Sequence, residues 1–207
     1  MDAVTLGYNT FLGVGANTNY ETSTVLWWGN AQNQGRIHAV FDYDTTFTES
    51  IDSVTLSLAC VLVNYCCDAA DTLRSFSAWL SKDFVPSEIT WDSAQVDPSG
   101  VDWTVDGAYG SDDTLAVGSG GWFYESNLII NGVTIPVDTI VTFKISGSAS
   151  SFPPWGAGKG AVVFCNNHAG GAYIQWASDE HSTKVRPIMT VYYTTGGGGT
   201  KFVKVRK

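Results

Sequence analysis

The chain has 207 residues, 44% of them hydrophobic and 15% charged, with 22 Gly, 6 Pro, 8 Trp, 9 Tyr and 10 Phe. That is enough apolar material for a core, and a mix rich in Gly and aromatics argues against both a disordered chain and a helical one. Eleven bases against twenty acids leave −9, which excludes a generic nucleic-acid binder, because phosphate contacts need a basic face.

In chain order, Met1 to Gly7 has neither a basic n-region nor an apolar h-region, so no signal peptide is read there. A chain that starts this way is expected to be made in a cytosol. No apolar run reaches the roughly 18 residues of a membrane span, and no membrane partner is expected. Trp27 and Trp28 are adjacent, so on a strand they face opposite ways. From Arg36 to Tyr43, Ile37, Ala39, Phe41 and Tyr43 alternate with Arg36, His38 and Asp42. From Ser53 to Val63, Val54, Leu56, Leu58, Cys60 and Leu62 are predicted to share a buried face.

Further strands are predicted over 73–80, 122–124, 128–130, 139–145, 161–165, 172–176 and 184–193. Turn clusters part them, among them Asp97-Pro98-Ser99-Gly100, Gly118-Ser119-Gly120-Gly121 and Asn131-Gly132, the last a type I′ hairpin signal. No segment reads as a long amphipathic helix. Eight or more short strands with frequent turns predict an all-β fold, an antiparallel β-sandwich of jelly-roll type. The Asp-rich stretch 86–121 reads as large loops with short strands.

The sandwich domain is read as residues 1–193, with 194–207 a separate Gly-rich linker and basic tail. Residues 1–200 hold seven bases against twenty acids, net −13, while Lys201, Lys204, Arg206 and Lys207 crowd the last seven positions. Lys201, Phe202, Val203, Lys204, Val205 and Arg206 are the predicted partner-binding residues, able to add as an edge strand on another subunit. Deleting 196–207 is expected to leave the body intact and to weaken assembly.

Several segments resemble the DNRLRE (disaggregatase-related) domain, a β-sandwich module related to carbohydrate-binding modules. They are Asn17-Thr18-Asn19-Tyr20-Glu21-Thr22-Ser23, the strand from Arg36 to Phe41-Asp42, Ile51-Asp52-Ser53-Val54-Thr55-Leu56, Ile89-Thr90-Trp91-Asp92 and Arg186-Pro187-Ile188-Met189-Thr190-Val191-Tyr192. The resemblance spans residues 8–193 and departs from the pattern at Glu21, where Gly is usual, and over about 64–130, which is longer. It implies a sandwich fold and a non-catalytic role, in secreted polysaccharide-associated proteins or in phage virions.

Four candidate carboxylates, Asp102, Asp106, Asp112 and Asp113, could offer calcium the hard oxygen ligands it takes, although no EF-hand spacing occurs. Asp is also a common turn residue, which is the plainer reading. No other cofactor is expected. Asp42 and Asp44, two apart at a strand end, suit one face of a calcium site or a glycosidase pair, and the plainer reading is a solvated strand end. Gly-x-Ser-x-Gly is absent, and Gly156-Ala157-Gly158-Lys159-Gly160 lacks the rest of a phosphate loop, so no enzyme is expected. Trp103 and Trp155 lie in loop-like surroundings, where an exposed indole stacks on sugar and a buried one acts as a lid on the core.

Cys60, Cys66, Cys67 and Cys165 carry no CxxC spacing. Free buried thiols are the expected state, with a Cys60–Cys165 bridge left open. The function expected from all this is a virion structural subunit, a capsid decoration or appendage protein, with other virion subunits and its own copies as partners. The alternative is an extracellular carbohydrate-binding module, with a glycan as partner.

Overall fold

The computed structural model describes residues 3–7, 18–30, 36–41, 50–64, 74–95, 100–104, 112–113, 123–125, 138–145, 161–166, 173–195 and 200–205. Among them are thirteen strands and no helix. In chain order these are β1 (Ala3–Gly7), β2 (Val25–Asn30), β3 (Arg36–Phe41), β4 (Ser50–Asn64), β5 (Arg74–Trp79), β6 (Ser93–Gln95) and β7 (Val101–Asp102). Then come β8 (Phe123–Glu125), β9 (Ile140–Ile145), β10 (Ala161–Asn166), β11 (Tyr173–Ala177), β12 (Ile188–Thr194) and β13 (Thr200–Val205). The strand expected over 128–130 and the Asn131-Gly132 turn lie outside the described residues.

Every pairing is antiparallel. Eleven strands join in the order β13-β12-β4-β11-β2-β3-β10-β5-β8, with β1 added on β3 and β9 on β4, while β6 and β7 form a ribbon of their own. The described chain is all-β. Its centre is the 15-residue β4. Residues 54–59 of β4 pair with β9 on one edge, and Cys60 continues that edge by accepting from Asp138 and donating to Thr139. On the other edge β12 pairs up to Ser57 and β11 takes over from Cys60.

Alternation along β4 sets the buried face. Val54, Leu56, Leu58 and Cys60 have no exposed surface. Leu56 and Val54 stand opposite Met189 and Val191 of β12, both fully buried. Each such aliphatic side chain contributes roughly 1.5–3 kcal/mol by leaving water. The other face carries hydroxyls: Ser57 and Thr142 share a 2.8 Å hydrogen bond, and Thr55 pairs with Thr190.

The alternation stops sooner than predicted. Leu62, expected on the buried face, is 40% exposed. Gln175 pairs with Leu62 and Trp176 with Cys60, so Val61 is an extra residue in β4. One inserted residue carries the following side chains to the opposite face. In β3, Val40 lies on the side that the alternation gives to Arg36 and His38, yet it is fully buried. Its register partners across the sheet are Val4 and Val162.

Cys60 is a free buried thiol, so the Cys60–Cys165 bridge left open by the sequence does not form. Cys66 and Cys67 lie outside the described residues. β12 starts at Ile188, later than the predicted Lys184. Before it, His181 Nδ1 accepts from the backbone of Thr183 and Lys184, and Pro187 brings no N–H to a ladder.

The terminal segment is corrected as well. It is not a tail apart from the body: Thr200–Val205 forms β13 and pairs with Met189 to Thr194 of β12. Lys201, Phe202, Val203, Lys204 and Val205 are therefore the outermost strand of the chain's own sheet. Arg206 lies outside the described residues.

Candidate functional site

The segment that leaves β5 carries most of the candidate residues. Its turns are closed by local hydrogen bonds. Val85 O accepts from Glu88 N and Ile89 N, each at 2.9 Å. Thr90 N donates to Ser93 O, and Thr90 Oγ1 accepts from Ser93 N at 3.1 Å. Asn19 Nδ2 bonds both Pro86 O and Ile89 O at 2.8 Å, which ties the chain before β2 to this turn. Asn19 Oδ1 in turn accepts from Glu21 N, a local Asx turn. Burial pushes the nearby Tyr20 phenol above its ordinary range, and a hydrogen bond with Thr18 pulls the other way.

The apolar residues of this region, Leu80, Phe84, Ile89, Ala94 and Trp103, are all buried. Trp103 is only 5% exposed, and its Nε1–H donates to Thr90 O at 3.1 Å. Its backbone N–H reaches Asp92 O. The indole is thus a lid folded onto the core, and the stacking role considered for it is corrected. Trp155 lies outside the described residues.

One lysine gathers the polar groups of this segment. Lys82 Nζ meets Asp113 Oδ1 at 2.7 Å, Asp102 O at 2.7 Å and Thr104 Oγ1 at 3.1 Å. An ammonium has three N–H donors, and these three oxygens occupy them. Asp113 Oδ1 also accepts from Thr104 N at 2.8 Å, and Asp113 O from Ser81 N at 2.9 Å. Ser81 Oγ donates to Asp112 O. A buried carboxylate needs such pairing, since an isolated charge in the interior is costly.

The predicted calcium ligands therefore part company. Asp113 is wholly buried against Lys82. Asp102 is exposed and its Oδ1 accepts from Ser93 Oγ at 2.7 Å. Asp112 is exposed and contributes its backbone carbonyl. Asp106 lies outside the described residues. Among the described residues, no three His, Cys, Asp or Glu side chains converge as a metal site. A carboxylate, a carbonyl and a hydroxyl oxygen do converge, on the lysine ammonium.

Lys82 and Asn19 are the residues that sequence reasoning missed in this role. Lys82 had a visible signal: it is the lone base among eight acids in residues 82–113. A second knot lies at the start of β9. Lys184 Nζ pairs with Asp138 Oδ1, and Asp138 holds φ 75° in the left-handed region that Asp tolerates better than most residues. Burial, and then the Asp138 charge, push the Cys60 thiol above its ordinary range.

No family model matches the sequence, and no curated protein matches it either.

Proposed function

We propose that the chain is a non-catalytic structural protein, a virion surface subunit of the decoration or appendage kind, that assembles through protein–protein contacts. The proposed architecture is an antiparallel β-sandwich of jelly-roll type. What supports the sandwich is the handover on β4, where β12 and β11 follow one another along one edge, so that one long strand can serve two layers.

The observation that carries the functional reading is the open edge of β13. It ends the strand order, and among the described residues no strand lies on its outer side. A row of unpaired backbone groups is a ready template for another chain. The polar groups around Trp103 and Lys82, by contrast, are engaged with one another. The carbohydrate-binding alternative loses Trp103, which has little surface left for a sugar.

The test is to isolate particles from the native source and to count this chain by mass spectrometry, with imaging for its position. The expected result is a fixed, stoichiometric copy number on the particle surface. A chain found free of particles, and retained on a glycan array as a monomer, would show the reading to be wrong.

A further inference from the structure

We infer that copies of this chain dock head to tail, the β13 edge of one copy seated on the exposed acids Asp83, Asp102 and Asp112 of the next. The inference rests on the reading of the chain as an assembling subunit and names its partner, a second copy. Charge is segregated along the chain. Residues 82–113 hold eight acids and one base, net −7, and that base, Lys82, is already committed to Asp113. Asp83, Asp102 and Asp112 of this segment are exposed.

The last seven residues hold four bases and no acid. Folding places two of those bases, Lys201 and Lys204, on the outermost strand at one end of the strand order. The acidic segment leaves β5, next to the other end of that order. A symmetric pairing of β13 with β13 would set like charges against each other, and lysines on an edge strand discourage that contact. The complementary surfaces are therefore different ones, which makes the contact heterologous. Repetition gives a ring or an open array. Opposite charge steers and registers such a contact.

The experiment is sedimentation velocity of the full chain at roughly 100 μM, a concentration suited to weak association, in about 0.05 M and about 0.5 M salt. The wild type is expected to self-associate at low salt and to fall back to monomer at high salt. K201E/K204E and D83K/D112K are each expected to weaken association at least about tenfold. An equimolar mixture of the two variants is expected to associate again, because the reversed edge of one meets the reversed segment of the other.

A wild type that is monomeric at both salts overturns the inference. So does association that K201E/K204E leaves unchanged. Loss in the single variants without recovery in the mixture overturns it too, since the loss then reflects damage to the fold. A chain counted in particles yet monomeric here sinks the head-to-tail contact alone and leaves the structural role standing.

Discussion

Lys82 Nζ lies 2.7 Å from Asp113 Oδ1, with the Asp113 side chain fully buried and that of Lys82 only 22% exposed. The pair bridges residues 31 apart in sequence and anchors the acidic segment to the end of β5. Removing Lys82 takes the counter-charge from a buried carboxylate that keeps the Thr104 N–H. Lys82→Met is therefore expected to cost about 3–5 kcal/mol. Urea denaturation measures it, and a loss under about 1 kcal/mol would mean that Asp113 is not held as a buried charge.

The extra residue at Val61 separates two leucines that look equivalent in sequence. Leu58 is fully buried and Leu62 is 40% exposed. Leu58→Ala is expected to destabilise by about 2–5 kcal/mol, and Leu62→Ala by no more than about 0.5 kcal/mol. Equal costs in thermal or chemical unfolding would remove the bulge from the account.

The raised pKa of Cys60 makes an alkaline prediction. A thiol whose folded pKa lies above its unfolded value contributes stability that is fully present below the unfolded value, about 8.5. That contribution is lost as pH rises through the folded value. Stability is thus expected to fall above about pH 8.5, and Cys60→Ala is expected to flatten the fall. Native Cys60 should also resist thiol reagents until the chain unfolds. Prompt labelling of Cys60 under native conditions contradicts its burial.

Deletion of residues 196–207 strips β13 from β12 and opens the edge of a strand whose Met189 and Val191 are buried. The truncated chain is expected to melt about 2–8 °C lower, the shift of a loss on the order of 1–2 kcal/mol in a chain this long. This reverses the outcome expected from the sequence. An unchanged melting temperature would place 200–205 outside the cooperative fold.

The all-β class was legible in the amino-acid order because alternation is local: a strand with one wet face shows Val54, Leu56 and Leu58 against Ser53, Thr55 and Ser57 before any partner is known. The acidic segment was equally legible, since charge needs no fold to be counted. Which aspartate is buried, which tryptophan is covered and where alternation slips were not legible. Asp113 and Asp112 are neighbours in sequence and differ only because Lys82 reaches one of them. Trp103 sits in an ordinary loop sequence, yet it is buried with its indole N–H on the carbonyl of Thr90, thirteen residues away. Likewise, four glycines read as a free linker, yet the chain beyond them finds six partners on β12. Short-range pattern specifies which side of a strand avoids water, but pairing energy is realised only when distant segments meet, and it is that meeting which assigned each of these residues its place.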